Sequence, residues 1–332
     1  MAWFTTKQGK HVNTDWFDKD RQIQQSKQQA DALNAESRKN DKRVALVEKM
    51  SERGFDKRYN EDIIKSADAV QSYFPGIREV RVVIPSDDMD RNVVAAMNPA
   101  IGILSINSRY INNYNELVNS CERMSNRRYH PTDASVQHQI IDHEMAHLAD
   151  GALYNYLMDK APDTYEEMTM PEKASEKVLA GYSRAMGREV KAGETLKIPS
   201  NDYDAKFLEI DGVKYSLNDF DGNQSMISNL IVPLAFKNIQ ANWKEIGFEK
   251  QPDEDDLLDM LGGYATWSKY NDNNYLAECF AEAYAEYQSY GMDSSVPTLE
   301  IMRLTFALYN SASKKKDGKT LAFYKALFAK GD

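Results

Sequence analysis

Two histidines separated by one helical turn, with a glutamate directly after the first, form the part of this chain best equipped for chemistry: His143-Glu144-Met145-Ala146-His147. On an α-helix, positions i and i+4 lie on one face, so both imidazoles can converge on a single divalent ion. The carboxylate at i+1 then stands beside the ion's open position, where a general base is needed. The chain has five histidines in 332 residues, so composition alone seldom produces this pattern. Ile141, Met145, Leu148 and Ala152 recur at helical spacing and would bury the neighbouring face, and Thr132 or Asp133 after Pro131 offers an N-cap. The spacing therefore predicts a helix through the motif.

Two imidazoles are too few for a tight catalytic zinc site, which takes three protein donors and leaves one position open. His138 lies five residues before His143 on another face, and His11 and His130 fall outside any helical register with the motif. Asp150 shares the face of His143, but a straight helix carries it past the ion. The variant that takes a third histidine after a glycine is excluded, because Asp150 and Leu153 occupy those two positions. The third donor is therefore expected on another helix. Asn273 to Tyr287 supplies one: Leu276, Phe280, Ala283 and Tyr287 make a buried stripe, which leaves Glu278 and Glu282 at i and i+4 on an adjoining face. In this reading Glu278 binds Zn²⁺ with His143 and His147, and Glu282 accepts a hydrogen bond from the second nitrogen of a ligating histidine. Glu286 continues the row and is expected in solvent.

His143 to His147 together with Glu278-Cys279-Phe280-Ala281-Glu282-Ala283-Tyr284 resembles the glutamate-zincins related to anthrax lethal factor, whose second motif reads Glu-x-Phe-Ala-Glu-x-Phe or Tyr. Leu104 to Tyr110 and Tyr129-His130-Pro131 look like the strand and pre-helix segment of the same domain in bacteriophage-encoded members. The resemblance covers roughly 60–290. It implies a zinc-dependent endopeptidase that acts on a peptide or protein substrate, with Glu144 as general base. It also implies an oxyanion-stabilising tyrosine shortly before the second motif. Here the spacing departs by a residue, which makes Tyr270 the first choice and Tyr264 the second. The strand at Ile103–Asn107, if it forms the sheet edge, would pair with an extended peptide. The alternative is a bacteriophage virion component in which the domain serves as scaffold or binding module.

The elements that would position these residues read as an α+β fold: a zincin-like domain over 56–332, with a small mixed sheet, active-site helices and an insertion at about 160–262. Before it, 1–55 is a polar, mostly helical arm. Trp3, Trp16 and Phe17 near its start suggest docking, on the domain itself or on virion proteins, and Trp3 to Val12 reads as a small hairpin. An amphipathic helix carries Ile63, Ala67, Val70 and Tyr73; strands are expected at Val80–Ile84 and Ile103–Asn107, and a helix from Tyr110 to Cys121. The insertion reads as a helix around 174–186, a hairpin turning on Asp211-Gly212, and a helix over 224–246 interrupted near Pro233. The stripe Leu299, Met302, Phe306, Tyr309 and the pair Phe323, Leu327 read as core packing.

Bulk properties narrow the partners. The chain carries 41 basic and 51 acidic residues, a formal net charge of -10, with the basic residues scattered, so nucleic acid is not expected. Cys121 and Cys279 are too few for a disulfide framework or a cysteine-based zinc ribbon. No apolar run is long enough for a membrane span and no secretory signal opens the chain. Synthesis in the cytoplasm is expected, and a virion component or a toxin delivered to a host would read the same way.

Overall fold

The computed structural model describes residues 3–5, 11–13, 41–90, 92–126, 130, 135–161, 165–200, 207–216, 225–271, 274–314 and 319–328. It is α+β, combining helices with small sheets. The expected amino-terminal hairpin is β1 (Trp3–Thr5) paired antiparallel with β2 (His11–Asn13). Trp16, Phe17 and the rest of the arm up to residue 40 lie outside the described residues. Its end is the helix α1 (Asp41–Glu52), whose Leu46 and Met50 are buried.

The three-stranded sheet forms next. The helix α2 (Lys57–Tyr73) starts on Asp56, whose carboxylate accepts the Arg58 N–H, and buries Tyr59, Ile63 and Val70. It leads into β3 (Val82–Ser86), which begins two residues later than expected and ends past Pro85. Proline is tolerated because β3 is an edge, and one side of its backbone needs no ladder partner. β4 (Ala95–Asn98) and β5 (Ile103–Asn107) form a hairpin, and the strand order is β3-β5-β4. β5 is therefore the centre of the sheet and not its edge, which corrects the placement expected from sequence. It pairs parallel with β3 and antiparallel with β4. Gly102 closes the hairpin at φ 70, and a Cβ there would stand 3.0 Å from the Glu79 carbonyl oxygen. Glycine is the residue that meets both demands.

The helix α3 (Tyr114–Asn126) begins four residues after Tyr110, because Asn113 ends the preceding turn and offers its backbone carbonyl to Glu116 and Leu117. A five-residue π-helical turn (Gln137–Ile141) then runs straight into α4 (Asp142–Lys160). Thr132 and Asp133, the expected caps, lie outside the described residues. Contacts divide the chain into two compact units, 1–154 with 222–307, and 155–221 with 308–332.

The second unit contains β6 (Tyr165–Thr169), the helix α5 (Glu176–Met186), β7 (Thr195–Pro199) paired antiparallel with β6, and the hairpin β8 (Phe207–Ile210) with β9 (Val213–Ser216). The expected turn on Asp211-Gly212 is present, with φ 51 and 82 at its two residues. The chain then returns to the first unit with α6 (Ser228–Ala241) and α7 (Trp243–Ile246). α6 passes through Pro233 without a break, and the interruption falls at Asn242 instead. α8 (Glu254–Leu261), α9 (Gly263–Asn271), α10 (Tyr275–Tyr290) and α11 (Val296–Ser313) follow, and in α11 Leu299, Met302, Phe306 and Tyr309 are all buried. The last helix, α12 (Lys319–Leu327), belongs to the second unit, whose core gathers Met170, Val190, Leu196, Ile198 and Phe323. Cys121 and Cys279 are buried and free. Among the described residues no helix is long and apolar enough to cross a membrane.

Candidate metal centre

Every residue discussed for the site belongs to the first unit. The helix α4 brings His143 and His147 to one face with their ring centroids 5.0 Å apart. The π turn before it is tied down by His138, whose Nδ1 lies 2.7 Å from Oδ2 of Asp142, itself fully buried. Such turns concentrate at functional sites, where the extra residue re-aims the next helical turn.

α10 is not the half-buried helix expected from its apolar stripe. It packs against α6, α8, α9 and the π turn, and every residue from Leu276 to Tyr287 is buried. Its three glutamates therefore lie in the interior, and each must find partners there. Glu278 sends Oε2 to within 3.0 Å of His143 Nε2 and 3.5 Å of His147 Nε2. One turn on, Glu282 places Oε1 2.9 Å from His143 Nδ1, off the line of the ring N–H, and 2.7 Å from Nδ1 of His130. Glu286 is not in solvent, contrary to expectation. It is 7 % exposed and accepts from the Ser295 N–H, the Ser295 hydroxyl and the Thr298 hydroxyl, which caps the start of α11.

These separations fit a tetrahedral ion. Donors about 2.0–2.1 Å from zinc at tetrahedral angles stand about 3.3 Å from each other, and one donor atom from each of His143, His147 and Glu278 lies within 4.8 Å of the other two. The charge balance agrees. Glu144, Glu278 and Glu282 are buried carboxylates, and a buried negative charge needs a cation or a proton beside it. The side chains show the same need: burial works against a charged His143 ring, yet hydrogen bonding to Glu278 and Glu282 holds its pKa well above the usual range. Burial likewise opposes ionisation of Glu278, and hydrogen bonds from His143 and His147 outweigh it, leaving the carboxyl well below the usual range. A dication meets that demand without protonating the rings. No family model, curated protein or solved structure matches this chain. The case for a metal therefore rests on these side chains.

Glu144 stands beside the donors, 9 % exposed. Burial pushes its pKa up, against the pull of His147 and His143, and its carboxylate accepts the N–H of Met97 in β4. That contact puts β4, an edge strand, beside the site. Since Val94 accepts from Asn107 within the ladder, Ala95 and Met97 turn their backbone groups away from β5.

The two tyrosines separate. Tyr270, the first choice from sequence, is 66 % exposed and donates its hydroxyl to Asp255 at 3.1 Å. Tyr264 has its ring centroid 5.7 Å from that of His143 and stacks on Trp267 at 5.8 Å. Six residues of α-helix leave the two side chains about 120° apart around the axis, so α9 can aim only one of them at the imidazoles. Asp150, the other acid on α4, is fully buried and accepts the Ser228 N–H at 2.9 Å, so it anchors the start of α6 instead of serving as a donor. Sequence reasoning set His130 aside, because its partner lies 152 residues away and no helical register links the two. The only signal was its place in the Tyr129-His130-Pro131 segment.

Proposed function

We propose that this chain is a zinc-dependent endopeptidase with a zincin-like domain, its metal held by His143, His147 and Glu278. The observation that carries the reading is the convergence of two imidazoles from α4 and one carboxylate from α10 at tetrahedral donor spacing, with Glu144 alongside. When bound, zinc supplies Lewis acidity toward a scissile carbonyl and toward water. The chain's own groups do the rest. Glu144, its proton affinity raised by burial, takes the proton of the attacking water and passes it to the leaving amine. Tyr264, held against Trp267, donates its hydroxyl to the oxygen on which negative charge develops. The outer side of β4, where Ala95 and Met97 turn their backbone groups away from β5, would order an extended peptide by strand addition.

Glu144→Gln tests the chemistry directly. Peptide cleavage should fall by at least about 10²–10⁴-fold while zinc content stays at the wild-type level. Undiminished cleavage would remove Glu144 from the role of base.

A further inference from the structure

The geometry points to His130 as a positioning residue of the metal centre, one that holds Glu282 in the orientation His143 requires. The inference rests on the zinc reading above and concerns a side chain outside the ligand set.

Glu282 is 1 % exposed, and its Oε1 lies 2.7 Å from His130 Nδ1 and 2.9 Å from His143 Nδ1, while its Oε2 is buried without a partner. Among the described residues, the two imidazoles are thus the polar contacts that set the carboxylate's rotation. The closer and better aligned of the two comes from His130. If Glu282 turned away, Nδ1 of His143 would lose the carboxylate that stands 2.9 Å from it, and a proton held on Nδ1 is what keeps the lone pair on Nε2, the atom facing Glu278 and His147. His130 therefore reaches the ion through two intermediaries, Glu282 and then His143. The ring packing agrees: His130 stands 6.0 Å from the His143 ring and 5.5 Å from the Tyr264 ring, so one imidazole braces the second layer of the site and backs the tyrosine. The same trio of His130, His143 and Glu282 could hold an ion of its own by distance alone. The 2.7 Å contact of His130 is that of an N–H donor on a carboxylate oxygen, and an ion there would take both Nδ1 atoms, including the one that His143 needs as a donor.

The test is zinc affinity, measured by competition with a chromophoric chelator, together with zinc stoichiometry, in the full-length wild type, His130→Ala, His130→Asn, Glu282→Ala and the His130→Ala/Glu282→Ala double variant. His130→Ala should weaken binding by about 10–100-fold. His130→Asn, whose amide can offer an N–H near the position of Nδ1, should recover most of that loss, and His130→Ala should add little in the Glu282→Ala background. Cobalt substitution should show an altered visible spectrum in His130→Ala that His130→Asn restores. Unchanged affinity in His130→Ala, an equal further loss in the Glu282→Ala background, or two zinc ions per wild-type chain would overturn the inference. Should His130→Ala not fold, the Asn variant and the Glu282 background decide: an Asn variant as weak as Glu282→Ala contradicts the positioning role. If wild type binds no zinc, or binds it without His143, the parent reading fails as well. Zinc that depends on His143 but ignores His130 sinks this inference alone.

Discussion

At the scale of single residues, the assignment of Tyr264 over Tyr270 makes a sharp prediction. Tyr264→Phe should lower kcat by about 10²–10³-fold with little change in KM, since an oxyanion donor acts in the transition state. Tyr270→Phe, which removes a surface hydroxyl bonded to Asp255, should leave peptide turnover unchanged. The reverse pattern in a steady-state assay would return the role to Tyr270. Asp150 supplies a second prediction at this scale. Burial pushes its carboxyl from 3.8 up to about 6, against the hydrogen bonds from Ser228. An acid whose folded pKa exceeds its unfolded one keeps its proton in the native state after the unfolded chain has lost it. Its stabilisation is thus complete below the unfolded value and disappears as pH rises toward the folded one, a loss on the order of 3 kcal/mol. In metal-free protein, urea midpoints should fall between about pH 4 and 6 from this residue, and Asp150→Asn, which still accepts the Ser228 N–H, should flatten that slope. An unchanged slope in the variant would contradict the assignment. His143, Glu144, His147 and Glu278 were legible in the sequence because their geometry is local to one helix or comes from an i, i+4 row. The tyrosine was not, because spacing alone does not say which face of a short helix meets the site.

Elements carry the next level of the design. α10 serves as an internal post whose three acidic turns meet His143 and His147, then His130, then the start of α11 in succession. The sequence did not reveal that Glu286, nine residues before Ser295, would provide the cap of α11. Removing that carboxylate leaves three buried donors unmet. Glu286→Ala should therefore cost about 2–4 kcal/mol in urea unfolding, and Glu286→Gln, which keeps an acceptor, clearly less. Equal and small losses would show that α11 is capped by other means. β4 escaped detection for a different reason: Ala-Ala-Met-Asn has weak strand propensity, and its extended state comes from pairing with β5. The two-residue turn at Asp211-Gly212 was legible because both residues tolerate positive φ. The edge strand beside Glu144 was thus hidden, while a hairpin in the other unit was plain.

For the whole molecule, the α+β class could be read from composition and periodicity, as could the two helices that carry His143, His147 and Glu278. The grouping of 155–221 with 308–332 could not, because β6, β7 and α12 are brought together by a core of scattered residues such as Met170, Leu196 and Phe323. Zinc should stabilise the folded chain by mass action, by about 2.7 kcal/mol at a hundredfold excess over Kd, and raise Tm accordingly. The most direct measurement is elemental analysis of purified wild type, Glu144→Gln, His143→Ala and Glu278→Ala proteins. One zinc per chain is expected in the first two and almost none in the last two. Full zinc occupancy in Glu278→Ala would contradict the joining of α4 and α10 around one ion.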